Sequence, residues 1–147
     1  MDDPFQLSRF LEAQSDQYSI AFSEIRSGRK RSHWMWYVFP QFVGLGTSPT
    51  AQLYAIKSHA EAEAYLHHPV LGVRLQECFA AVLEHPEKSA YDIFGTPDDL
   101  KLHSSATLFG AISSSGSVYA QVLELFFGGK ADLKTLKYLQ IGQKDVG

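Results

Sequence analysis

Four of the six prolines in this 147-residue chain stand directly behind a polar residue and open onto a stretch of helix-forming side chains. Proline breaks a helix from within. At the first helical position it is tolerated, because the amide it lacks would have no partner there. A polar side chain just before it accepts from the free amides inside the first turn. Asp3-Pro4 ahead of Gln6, Ser48-Pro49, His68-Pro69 and Thr96-Pro97 therefore each read as a helix start. Thr96-Pro97 is followed by Asp98 and Asp99, two carboxylates at the positive end of the helix dipole. Ser58-His59-Ala60-Glu61 has the form of a capping box without the proline.

The apolar spacing agrees with this punctuation. From Leu7 the stripe runs through Phe10, Leu11, Tyr18, Ala21, Phe22 and Ile25, and predicts one helix ended by Gly28. Val70, Leu71, Leu75, Cys78, Phe79, Val82 and Leu83 repeat the pattern. So do Val118, Tyr119, Val122, Leu123, Phe126 and Phe127, closed by Gly128-Gly129. A short last helix is expected from Asp132 through Leu133, Leu136 and Leu139. The run Trp34-Met35-Trp36-Tyr37-Val38-Phe39 fits a buried strand or a short buried helix. The helix, capped by Ser32, is preferred, since no second convincing strand exists to satisfy its backbone. Gly44, Gly46 and Pro49 make the next segment a loop, and Ser113-Ser114-Ser115-Gly116 a flexible connection. No repeat, low-complexity tract or linker interrupts the chain. The expectation is an all-α, multi-helix bundle of about seven to nine helices, several of them short, forming a single helical domain over residues 1–147.

Composition supports a packed core and narrows the partners. Hydrophobic residues make up 45% and charged residues 20%, with ten Phe and seven Tyr, which argues against disorder. A net charge of −3 gives no global attraction to nucleic acid or anionic lipid. Trp34 to Phe39, the longest apolar run, is too short to cross a bilayer, and an N-terminus carrying Asp2 and Asp3 does not resemble a secretory leader. A cytoplasmic location is expected. Cys78, the one cysteine, sits in an apolar stretch and reads as a small buried hydrophobe rather than a nucleophile.

Several segments are similar to a known family. Arg29-Lys30-Arg31-Ser32-His33-Trp34-Met35-Trp36 followed by Phe39-Pro40-Gln41 is the first long motif. Ile93-Phe94-Gly95-Thr96-Pro97-Asp98-Asp99-Leu100-Lys101-Leu102 with Ser104-Ser105 is the second. Shorter matches are Gly44-Leu45-Gly46, His68-Pro69-Val70-Leu71-Gly72 and Phe126-Phe127-Gly128-Gly129. Together they resemble a widespread domain of unknown function, sometimes mislabelled calpastatin. The resemblance covers nearly the whole chain and implies an all-helical single domain found mostly in bacteria and fungi. It brings no catalytic residues with it. The calpastatin label carries no weight, because calpastatin inhibitory segments are disordered and this composition is not.

Two segments concentrate polar chemistry. Arg26, Arg29, Lys30 and Arg31 crowd the space before Ser32, His33, Trp34 and Trp36. Cations beside a helix start form a site for phosphate or carboxylate, and a tryptophan offers a flat face for a base or sugar. The bland alternative is a solvated basic loop with tryptophans that fill the core. In the second segment Asp99 and His103 lie four apart on one helix face, where the carboxylate would orient the imidazole as a general base. Asp98, Lys101 and Ser104 lie close by. Here the bland alternative is that both carboxylates only complement the dipole while Lys101 and His103 stay solvated.

The expectation drawn from these segments is a cleft between Arg29–Trp36 and Thr96–Ser105 for a small anionic or nucleotide-like ligand. Arg29, Lys30, Arg31, Ser32, Trp34, Trp36, Asp98, Lys101 and Ser104 would bind it. Asp99, His103 and His33 would be the catalytic candidates if hydrolysis or group transfer takes place. A non-enzymatic protein-docking module is the alternative, and nucleic-acid binding through Arg26–Arg31 is disfavoured by the acidity. No cofactor is implied: Gly44-Leu45-Gly46 lacks the third glycine of a dinucleotide fingerprint, and no Walker lysine motif is present. His59 and Glu63 are only two ligands, so no metal is expected.

Overall fold

Three of the four polar residues that precede prolines cap helices, by varied routes; Thr96 does not, since the helix that starts at Asp98 is flanked by Pro97 with no side-chain cap. The computed structural model describes the backbone of residues 3–146 and the side chains of residues 3–140; Asp2 lies outside them. Ten helices are present among the described residues, more than the seven to nine expected. In order they are α1 (Ser8–Gln14), α2 (Tyr18–Ser27), α3 (Met35–Val38), α4 (Pro49–Leu53), α5 (His59–His67), α6 (Leu71–Val82), α7 (Ala90–Phe94), α8 (Asp98–Ala111), α9 (Val118–Phe127) and α10 (Leu133–Val146).

Ser48 caps α4 by accepting from the Ala51 amide, with Pro49 in the first turn, as the pattern predicts. Asp3 instead reaches past Pro4: its carboxylate accepts from the Leu7 and Ser8 amides, and α1 starts at Ser8. His68 caps through its ring, Nδ1 accepting from the Val70 and Leu71 amides ahead of α6. Ser58 accepts from the Glu61 amide, but the reciprocal bond goes to the Lys57 amide, one residue outside the box. A complete capping box stands elsewhere, between Ser89 and Asp92 at the start of α7.

The single helix expected from Leu7 to Gly28 is two, separated at Ser15–Gln17. The apolar stripe itself is interrupted between Leu11 and Tyr18. At that gap Gln14 turns inward, donating to the Tyr37 carbonyl (2.7 Å) and the Tyr65 hydroxyl (3.1 Å). The aromatic run is helical at Met35–Val38 and forms no strand. An isolated parallel bridge between Phe42 and Ile56 is the β-type pairing among the described residues.

Helix α8 is the centre of the molecule, packed against α5, α7, α9 and α10, while α6 lies against α2, α5 and α9. Leu102, Ser105, Ala106, Leu108 and Phe109 of α8 are fully buried, and the small residues among them let neighbouring helices close in. Gly72 marks the tightest approach, since a Cβ there would sit 2.0 Å from the Leu66 carbonyl oxygen. Trp34 and Phe39 are also fully buried, with the Phe39 ring edge-on to Phe79 (4.9 Å) and Phe94 (5.7 Å). Each such ring contributes about 2–3 kcal/mol through removal from water. Their packing therefore decides where the aromatic run lies.

Cys78 is buried, and burial pushes its thiol up to about 12, so it carries no thiolate at neutral pH. Among the described residues no helix is long and apolar enough to cross a membrane.

Candidate functional site

The basic segment is folded around one carboxylate. Gly28 ends α2 in the left-handed region (φ 82°), which turns the chain back on itself. Glu24, a turn earlier, then accepts four hydrogen bonds from the residues that follow. Its Oε1 takes the Arg31 amide (2.8 Å), the Ser32 amide (3.0 Å) and Trp34 Nε1 (2.9 Å), and its Oε2 takes the Ser32 hydroxyl (2.6 Å). Partial burial pushes this carboxyl up, but the bonds from Ser32, Arg31 and Trp34 outweigh burial and hold it down at about 2. Ser32 is thus a partner of Glu24 and not the cap of α3, whose N-terminal flank at Trp34 has no side-chain cap. Trp34 is buried with its N–H satisfied, so it offers no face to a ligand. Arg29, Arg31 and His33 are exposed on the outside of this turn.

Lys30 points the other way and joins the two polar segments. Its amide donates to the Ile93 carbonyl (2.7 Å), and its ammonium pairs with Asp98 Oδ2 at 2.8 Å with only 8% of the lysine side chain exposed. Asp98 Oδ1 in turn holds Lys101 Nζ at 3.2 Å. The two ammonium groups lie over the two tryptophans, Lys30 5.0 Å from a Trp34 ring centroid and Lys101 4.5 Å from that of Trp36. Cations so placed gain from the electron-rich ring face as well as from the shared carboxylate.

Beyond Trp36 the surface opens into a cleft of about 520 Å³, within the range of small-molecule sites. One wall is Trp36 with Leu45, Gly46, Thr47 and Ser48 of the loop before α4; the other is Leu100, Lys101, His103 and Ser104 of α8, closed by Asp132 and Lys134. The two polar segments therefore do meet, and Trp36, Lys101, His103 and Ser104 line the cleft together. Lys30 and Asp98 stand behind it as the joint. Arg29, Arg31, Ser32, His33, Trp34 and Asp99 are not on its walls.

The Asp99–His103 dyad is not formed. Asp99 Oδ1 accepts from the neighbouring Leu100 amide (2.9 Å), whereas His103 Nε2 bonds the Lys130 carbonyl oxygen at 2.7 Å. The imidazole also stacks on Phe127, centroids 4.3 Å apart and planes 11° off parallel. The α9–α10 turn captures the ring before a first-turn carboxylate of its own helix can reach it.

The sequence pattern does not single out Asp132, Lys134 or the Leu45–Ser48 loop as walls of this cleft. Asp132 read only as a helix start, which it is: Oδ2 accepts from the Thr135 amide. That it also faces α8 depends on helix packing, which no local pattern encodes. Among the described residues no group of three side chains could hold a metal ion, and His59 and Glu63 make an isolated pair at 3.9 Å. A second hollow, about 450 Å³, is lined by Leu83, Ser115, Ala120, Gln121, Glu124 and Leu125, with a carboxylate and no cation or imidazole among them.

A family model described as "Protein of unknown function (DUF1810)" matches residues 4–139. The conserved hypothetical protein Rv1873 of Mycobacterium tuberculosis, known from a crystal structure, superposes with a TM-score of 0.92 at 48% identity, over 94% of this chain and 99% of that one. No curated protein matches.

Proposed function

The chain belongs to the DUF1810 family of proteins of unknown function, and from the cleft that this fold builds we propose that it binds a small anionic ligand with a planar part. The observation that carries the reading is the meeting of Trp36 with Lys101, His103 and Ser104 in one open cleft. Lys101 and Lys134 are the cations at its surface, and Trp36, Leu45 and Leu100 supply apolar area for a ring. Lys101 is held in place by Asp98 and by Trp36, so little side-chain entropy is lost when it meets an anion. The reading replaces the exposed Arg29 and Arg31 with these two lysines as the charge that selects the ligand. A cytoplasmic location belongs to the same reading, since phosphorylated metabolites are abundant there.

Tryptophan fluorescence tests it directly. Trp34 is sealed in the core, so a ligand-dependent change should come from Trp36. Titration with phenyl phosphate and with a nucleoside monophosphate is expected to give a saturable change that Trp36→Phe abolishes. Lys101→Ala should weaken binding about tenfold, the effect of losing roughly 1.4 kcal/mol of charge-assisted contact. A flat titration by both fluorescence and calorimetry, or equal affinity in the Lys101→Ala protein, would remove the proposal.

A further inference from the structure

We infer that Asp132 and His103 form a hydroxyl-recognising end of this cleft, so that its planar anionic ligand is a nucleotide with a free ribose diol; the inference rests on the binding reading above. Both residues line the cleft: His103 of α8 is bonded by the Lys130 carbonyl from the stretch between α9 and α10, and Asp132, in that same stretch, is bonded by Thr107 of α8. Asp132 is fixed at several points. Its amide donates to Thr107 Oγ1 (2.8 Å), and its Oδ2 accepts from the Ser104 hydroxyl (3.1 Å), the Thr135 hydroxyl and the Thr135 amide (3.3 Å). All of the carboxylate's protein partners are on Oδ2; among the described hydrogen bonds Oδ1 has none. Capping α10 needs one oxygen, and Ser or Asn would do it as well. The second oxygen is an acceptor that the fold orients and does not use.

His103 shows the same pattern. A carbonyl oxygen only accepts, so the Lys130 carbonyl requires the proton on Nε2. In the neutral ring Nδ1 is then a lone-pair acceptor, and among the described hydrogen bonds it has no protein partner. Stacking on Phe127 fixes the plane in which that lone pair lies. Two oriented acceptors with no hydrogen to offer repel a bare anion and select O–H donors. A vicinal diol presents two such donors at once. Lys101 and Lys134 are left for the phosphate, which keeps the two ends of the cleft chemically distinct.

A ligand pair on the unmodified protein tests this without relying on any variant. Adenosine monophosphate is expected to bind at least about tenfold more tightly than 2′,3′-dideoxyadenosine monophosphate, the worth of one or two hydrogen bonds to a carboxylate, while phenyl phosphate reads the ring and anion contacts alone. Asp132→Asn keeps an N-cap residue and so the helix start. It should bring the affinity ratio of hydroxylated to dideoxy nucleotide to about one, with phenyl phosphate bound at least as tightly because a negative charge leaves the cleft wall, and His103→Phe should reduce the ratio in part. If phenyl phosphate binds and the dideoxy and hydroxylated nucleotides bind equally, the inference falls and the anion cleft stands. An Asp132→Asn protein that retains the full preference overturns it as well. If none of the three ligands binds, both readings fall together.

Discussion

Replacing Arg9 by alanine should destabilise the protein by about 4 kcal/mol, the largest effect we expect from any single side chain, because it strands a buried carboxylate. All five guanidinium N–H groups have acceptors. Nε donates to the Leu53 carbonyl (2.8 Å), Nη1 to those of Phe5 (2.7 Å) and Gln6 (3.0 Å), and Nη2 to the Ala55 carbonyl (2.9 Å) and Glu61 Oε2 (2.6 Å). The side chains of Arg9 and Glu61 are only 12% and 3% exposed. One planar fork thus fastens the N-terminal turn, the end of α4 and the start of α5 together. Arg9→Lys keeps the charge but has three donors at one point, so it should recover less than half of the loss. Replacing both partners by leucine should cost less than Arg9→Ala alone, since no charge is then left unpaired. Urea unfolding of the four proteins measures these differences, and an Arg9→Ala loss below about 1 kcal/mol would contradict the account.

The second large effect belongs to Glu24. Glu24→Ala should cost about 3 kcal/mol, since it removes four accepted bonds and leaves the N–H of buried Trp34 without its partner. In a Trp34→Phe background the same change should cost less, which a double-mutant cycle reads as coupling between the two residues. The effect is also pH-dependent. The folded carboxyl is held at about 2, below its ordinary 4.5, so its contribution is complete above pH 4.5 and is lost as pH falls from there toward 2. Glu24→Gln should therefore be less stable than the natural protein at pH 6, and the gap should narrow steadily between pH 5 and pH 2. A constant gap across that range would show that the charge is not what holds the basic turn.

The same residue explains why the first long motif reads as a ligand site in sequence but is largely structural in space. Its cations and its tryptophan are adjacent along the chain, and adjacency suggests a shared task. Glu24, ten residues before Trp34, divides them: it ties Ser32 and Trp34 inward and leaves Arg29, Arg31 and His33 outside. Lys30 and Trp36 alone reach toward α8. In the second motif the helical spacing placed Asp99 and His103 on one face, and the competing Lys130 carbonyl came from a turn 27 residues away. Spacing identifies who can meet on one helix; it does not say who arrives from another.

What the sequence determined by itself is the helical architecture, because caps, proline positions and apolar spacing act within a few residues of one another. It also identified the two stretches that come together, since their polar side chains have no periodic place in the core. The tertiary structure alone decided which of those side chains face the cleft and which hold the fold. That choice follows from long-range partners (Glu24 on Trp34, Lys30 on Asp98, the Lys130 carbonyl on His103), whose approach is set by how α8 packs among its neighbours. Asp132 shows the difference most plainly: a helix cap by its neighbours in sequence, and a wall of the cleft only once α10 lies against α8.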